Sequence, residues 1–179
     1  MNKKSKLIII VSIVLCIILF CFFRYKKINN NVAKTYEKQE YSIGENIHLD
    51  NLDLVVKSYK FIQYNKDDNV DVLLELNLKN TSKKTVDASS LIYNSKLAAE
   101  FEYVDTPSVE KQDLSRLKKL QPNHEISITF KYSVLARTIK KFKNKTEFKF
   151  YIANDLYKED IIKKYKELKL YSKYVYLKS

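Results

Sequence analysis

One stretch near the amino terminus constrains this chain more than any other feature. Residues 7–23, LIIIVSIVLCIILFCFF, include one weakly polar member, Ser12, and no charge, glycine or proline. At about 1.5 Å per residue the run makes a helix of about 25 Å, a little short of a hydrocarbon core of about 30 Å. Phe22, Phe23 and Tyr25 lengthen it as interfacial aromatics, and Lys6 and Arg24 can snorkel from its ends. A core helix of a water-soluble protein shows a polar face within two turns, and this run shows none. The expectation is a single N-terminal transmembrane helix, with everything after it tethered to a bilayer.

A cleaved signal peptide is the competing reading. The basic start (Lys3, Lys4, Lys6) and the apolar stretch suit one, but signal peptidase needs small residues at −3 and −1. The run ends instead in Phe20-Cys21-Phe22-Phe23-Arg24. Neither cysteine follows the small residue that lipid modification prefers, since Leu15 precedes Cys16 and Phe20 precedes Cys21. An uncleaved signal-anchor fits better. Positive charge flanks the span on both sides, so loop charge leaves the orientation nearly balanced. Both cysteines lie inside the span and residues 24–179 have none, which favours an extracytoplasmic C-terminal domain at the cell membrane.

Composition then bounds the tethered part. The chain has 33 basic and 21 acidic residues, a net of +12, and residues 1–27 carry six of the bases and no acid. Hydrophobic residues make up 45%, with 14 Tyr and 9 Phe, which is enough for one packed domain and excludes disorder for most of it. With one Gly and two Pro, the turns must be made by Asn, Asp, Ser and Lys. The surplus of Lys, Asn, Ile and Tyr is what an AT-rich genome encodes, and suggests a low-GC Gram-positive bacterium.

The expected organisation is a basic N-terminus and anchor over residues 1–27, a polar stalk over 28–40 and one domain over 41–179. The stalk, INNNVAKTYEKQE, has no usable period, and as a random coil reaches only about 20 Å. Beyond it the period becomes two. Ile47 and Leu49, then Leu52, Leu54 and Val56, predict two short strands around Asp50-Asn51. Val70, Val72, Leu74, Leu76 and Leu78 predict a strand with one buried and one mostly wet face, as antiparallel sheets provide. Leu91-Ile92-Tyr93 and residues 97–103 read as a hairpin turning at Asn94-Ser95-Lys96. Thr106-Pro107-Ser108 could start a short helix, although Leu114, Leu117 and Leu120 are sparse for one. Strands follow through Ile126 to Tyr132 and through Phe148 to Ile152. A helix is expected over 155–168 from the stripe Tyr157, Ile161, Tyr165 and Leu168, and the alternating tail reads as an edge strand.

About seven short strands without a βαβ rhythm predict a mainly β fold, a sandwich or a barrel. Residues 70–103, VDVLLELNLKNTSKKTVDASSLIYNSKLAAEFEY, followed by residues 120–132, LQPNHEISITFKY, carry a further signal. They show a hydrophobic strand ending in Lys79-Asn80, a polar turn, and Leu120-Gln121-Pro122 before an alternating strand. In this pattern the chain resembles the immunoglobulin-like domain of unknown function found in exported and lipoprotein chains of Gram-positive bacteria, often mislabelled as telomeric-repeat-binding factors. Asn123 stands where that family usually has Gly. The resemblance implies an immunoglobulin-like β-sandwich outside the membrane and implies no activity.

Residues with chemistry to offer are few. His48 and His124 have no second His or Cys at ligand spacing and read as solvent or turn histidines. Asp67, Asp68, Asn69 and Asp71 form an oxygen-rich cluster but lack the Gly and distant Glu of a calcium loop, so a plain acidic hairpin turn is expected. Ser89, Ser90 and Ser115 lie in no nucleophile motif, and the only glycine, Gly44, cannot build a phosphate-cradling loop. Glu100, Glu102 and Asp105 read as the wet face of a strand. No catalytic residue, cofactor or metal is expected, and the chain does not read as an enzyme.

Charge is distributed unevenly. Residues 41–115 hold 8 basic and 13 acidic side chains, and residues 116–179 hold 17 and 6. Arg137, Lys140, Lys141, Lys143 and Lys145 crowd one turn. A solvated loop is the plain reading, and an anion-binding cluster for wall polymer or lipid head groups is the functional one. The expected role is a membrane-anchored extracytoplasmic binding or accessory module of the cell envelope. Its partners are the membrane, then anionic polymer, head groups or another envelope protein, with nucleic acid disfavoured. The alternatives are a cytoplasmic-side membrane-bound adaptor and an extracytoplasmic enzyme with an unrecognised site.

Overall fold

A computed structural model describes residues 3–30, 32–63, 69–99, 102–104, 106–135 and 147–177. Helix α1 (Lys3–Asn29) contains a segment, Ile9–Asn29, long and apolar enough to cross a membrane, and none of that segment's apolar window is buried against the rest of the chain. The remainder is a two-sheet β-sandwich. Four strands, β2 (Asn46–His48), β3 (Leu52–Gln63), β4 (Asn69–Asn80) and β7 (Glu125–Leu135), form an antiparallel sheet in the order β2-β3-β4-β7. The other sheet takes β1 (Thr35–Tyr41), β5 (Lys96–Ala99), β6 (Glu102–Val104), β8 (Phe148–Tyr151) and β9 (Lys169–Leu177), in the order β1-β9-β8-β5-β6.

The core lies between the sheets. Leu54, Val72, Leu74, Leu76, Phe130 and Tyr132 from the first sheet meet Leu97, Phe150 and Val175 from the second. Alternation puts these side chains inside and Glu75, Asn77, Ser127 and Thr129 outside, as a period of two requires. A bulge between Val56 and Ser58 restores the inward phase for Tyr59. Phe130, Tyr132 and Phe150 meet edge to face at 6.3–6.5 Å.

Several sequence expectations need correction. The coil stalk over 28–40 does not form: α1 runs to Asn29, and residues 35–40 are strand, paired in parallel with β9 from Thr35↔Lys169 to Tyr41↔Val175. Its inward polar residues explain why no apolar alternation marked it. Glu37 is ion-paired to Lys164 and Lys169, and Gln39 accepts the Tyr171 hydroxyl. The tail is consequently an interior strand, with β1 covering the edge it was expected to expose. Residues 90–94 form a helical turn, α2 (Ser90–Asn94), and the hairpin lies further on, between β5 and β6. Sparse leucines suffice for α3 (Lys111–Lys118), because Leu117 packs into the core and Leu114 against its margin. The helix expected over 155–168 is a 3-10 turn (Asn154–Leu156) followed by α4 (Lys158–Lys166).

The resemblance motif closes one end of the sandwich. Asn80 is fully buried; its amide donates to the carbonyls of Lys84 and Leu120, and its Oδ1 accepts from the N–H and hydroxyl of Ser82. The Asn123 N–H donates to the Asn80 carbonyl at 3.0 Å, and Asn123 holds φ 58°, the left-handed conformation for which glycine is favoured.

Candidate functional site

Parallel pairing of β1 with β9 decides which residues share an end of the molecule. Both strands start beside the tether, where the Lys34 N–H donates to the Leu168 carbonyl at 2.8 Å. Strand β8 finishes toward this end and β5 begins there, through the pair Lys96↔Tyr151. Because β8 stops at Tyr151 while β9 and β1 continue past it, the outer face of the sheet has a notch at the tether end. The notch encloses about 420 Å³, inside the range of small-ligand sites.

Tyr36 forms one wall, its hydroxyl donating to Ser172 Oγ at 2.7 Å, and the Lys38 ammonium sits 5.1 Å from its ring centre. Opposite stand Lys96 and Tyr151, with Asn94 and Asp155 joined by a 3.4 Å hydrogen bond at the lip. The Tyr151 ring lies 5.3 Å from that of Tyr174, whose hydroxyl donates to Glu40. Burial, together with that carboxylate, pushes the Tyr174 hydroxyl above its usual range. Lys149 lies 5.8 Å from the ring centres of both Tyr174 and Tyr176 and 3.7 Å from Glu147. The arrangement offers aromatic faces, hydrogen-bonding groups and ammonium charge, a chemistry that recognises polar rings and anions. The carboxylate at its lip, Asp155, is engaged by Asn94.

A second polar cluster lies between the sheets. Lys173 points inward from β9 and is 3% exposed. Its ammonium donates to the His48 carbonyl at 2.7 Å, pairs with Asp160 at 2.6 Å and lies 5.2 Å from the Tyr157 ring centre. Tyr157 donates to Asn154 Oδ1 and accepts the Lys173 N–H, while burial pushes its hydroxyl up to about 12. The cluster joins β9, α4 and the turn after β2, filling a corner where apolar packing ends. Asp160 is half exposed at its margin, and Tyr157 links it to Asn154 of the notch lining.

Of the residues singled out from sequence, Arg137, Lys140, Lys141, Lys143 and Lys145 lie outside the described residues, as do Asp67, Asp68, Glu100 and Asp105. Asp71 is buried and pairs with Lys131 at 2.6 Å, an ion pair linking the acidic and basic halves of the chain. His48 is exposed and bonds Asp53 at 2.7 Å; His124 is exposed and its ring lies 3.0 Å from the Pro122 carbonyl. The notch was not anticipated. Its residues come from four separate segments, which no local pattern in the sequence joins.

No protein-family model and no curated protein matches the sequence. Solved structures do match. An uncharacterized β-sandwich protein from Clostridium difficile 630 superposes with a TM-score of 0.54 at 12% identity, covering 81% of this chain and 97% of that one. A functionally unknown protein from Listeria monocytogenes EGD-e gives 0.48 at 10% identity, over 66% and 74% of the two chains. The yjhA protein from Bacillus subtilis gives 0.46 at 11%, over 77% and 99%. The likeness to the Clostridium difficile protein is one of fold: this chain is a two-sheet β-sandwich, as that protein is, preceded by an apolar helix.

Proposed function

We propose that the chain is a membrane-anchored, non-catalytic binding or accessory module of the cell envelope, with its sandwich presented on the outer face. The observation that carries this reading is the exposed apolar surface of α1, joined to the sandwich by residues 30–34 alone. An immunoglobulin-like identity for the sandwich is supported by the meeting of Asn80, Leu120 and Asn123 at one turn. Its ligands are anionic polymer or lipid head groups. Lipid head groups are met by Lys38 and Lys96 on the outer face near the tether, and anionic polymer by Arg137, Lys140, Lys141, Lys143 and Lys145 of the basic stretch that follows β7.

Topology is tested on the full-length chain carrying Cys16→Ala, Cys21→Ala and Ser179→Cys. Labelling by an impermeant thiol reagent in whole cells is expected. Labelling only after lysis overturns the outward orientation, and recovery from the medium of a protein beginning after Phe23 overturns the anchor. The ligand reading is tested with the detergent-solubilised chain on anionic wall polymer. Binding at low salt is expected, with release near about 0.5 M as screening shortens. Equal binding after changing the five basic-stretch residues to Gln overturns the role of that cluster.

A further inference from the structure

The end of the sandwich beside the tether has a surface unlike that of an ordinary solvated rim. Tyr36, Tyr93, Ile162, Tyr165 and Leu170 are each more than half exposed. They come from β1, α2, α4 and β9, and the fold gathers them at one end. β1 and β9 begin there, α4 finishes there through the Leu168 N–H to Tyr165 carbonyl bond, and α2 leads into the first residue of β5. Lys34, Lys163 and Lys166 are exposed among them, and Lys83 and Lys84 project from the turn after β4 at the same end. Three carboxylates of this end are already occupied: Glu37 by Lys164 and Lys169, Glu167 by Lys169, and Asp160 by Lys173.

Tyrosine, isoleucine and leucine beside lysine is the composition that settles at the boundary between head groups and acyl chains. The tether keeps that boundary within reach. Residues 30–34 span at most about 17 Å when fully extended and the polar last turns of α1 add about 9 Å, so this end stays within about 25 Å of the hydrocarbon edge of a bilayer that α1 crosses. We propose that the tether end of the sandwich seats on the membrane surface. Ile162, Tyr165 and Leu170 enter the interface, and the surrounding lysines meet anionic phospholipid. The strands then stand on the membrane, the notch opens at its surface, and the far end, where β3 and β7 finish, points away. This inference rests on the anchoring reading and adds an orientation to it.

The chain has no tryptophan, so a single introduced one reports its own surroundings. Full-length Ile18→Trp, Ile162→Trp, Leu170→Trp and Leu135→Trp are each reconstituted in vesicles of phosphatidylcholine and phosphatidylglycerol brominated near the head-group end of the acyl chains. Quenching of Ile18→Trp and Ile162→Trp is expected, with Leu135→Trp, at the far end, left bright. If Ile18→Trp stays bright, the anchor itself fails. If Ile18→Trp is quenched and both Ile162→Trp and Leu170→Trp stay bright, the seating is overturned while the anchor stands. Adding Lys163→Glu and Lys166→Glu, or omitting phosphatidylglycerol, is expected to weaken quenching of Ile162→Trp. Quenching unchanged by both overturns the recognition of anionic lipid.

Discussion

The two sheets divide the molecule's work differently. The four-stranded sheet uses long strands with one wet and one dry face, and three of its members pair in antiparallel register over 11 residue pairs each. The five-stranded sheet joins the two extremes of the folded chain, β1 and β9, and admits charge to its inner side at Glu37 and Lys173. The first behaves as a scaffold held by apolar packing. The second is held partly by specific polar pairs, and it carries the notch and adjoins the tether. Its inner polar groups are each satisfied by a specific partner, as Glu37 is by Lys164 and Lys169 and Lys173 by Asp160.

Mutations can break this contrast. Leu74→Ala in the centre of the four-stranded sheet should cost about 2–5 kcal/mol in chemical denaturation, because a fully buried side chain leaves a cavity. A cost below about 0.5 kcal/mol would show that the sheet is no scaffold. In the other sheet, Lys173→Met retains volume but leaves the His48 carbonyl without its ammonium, and should cost about 1–3 kcal/mol. Asp160→Ala should cost more than Lys173→Met, since it strips the partner from a buried cation, whereas Asp160 itself is half exposed. The reverse order would mean that the ammonium's bond to the His48 carbonyl, not its pairing with Asp160, holds the corner.

Smaller effects sharpen the same comparison. Tyr36→Ala should cost under about 1 kcal/mol while weakening ligand capture in the notch, since the ring is half exposed. Glu37 accepts from Lys164 and Lys169, and these bonds hold its pKa below its ordinary value of 4.5. A depressed acid stabilises the fold fully above the unfolded value and loses that contribution as pH falls through the folded one. Glu37→Gln should therefore lower the melting temperature at neutral pH, and the difference should vanish in acid. Asn123→Gly should raise stability by about 0.5 kcal/mol at its left-handed position, the smallest effect here.

The contrast between sheets also explains what the sequence disclosed. The strands through Val72 and Leu76, and through Ile128 and Phe130, were legible because each has one wet and one dry face, and that geometry writes a period of two. The segment around Tyr36 was not legible, because its inward groups are polar and are satisfied by Lys164, Lys169 and Tyr171, far along the chain. Leu91 and Ile92 are buried by a helical turn, which three apolar residues in a row cannot distinguish from a strand. The stripe from Tyr157 to Tyr165 gave the last helix, with its start misplaced by a 3-10 turn. The notch and the apolar rim were hidden for a topological reason, since pairing between the extremes of the folded chain assembles them.

That parallel pairing has a mechanical consequence. Tension applied between α1 and the sandwich enters the fold at Thr35 and runs along β1, which extends away from α1 beside β9. A pull in that direction slides one strand past the other, so the slanted hydrogen bonds of the whole ladder bear load together. Peeling from the end would break them singly. The strand nearest the anchor is thus arranged as a lap joint, and its resistance to force grows with the length of the overlap.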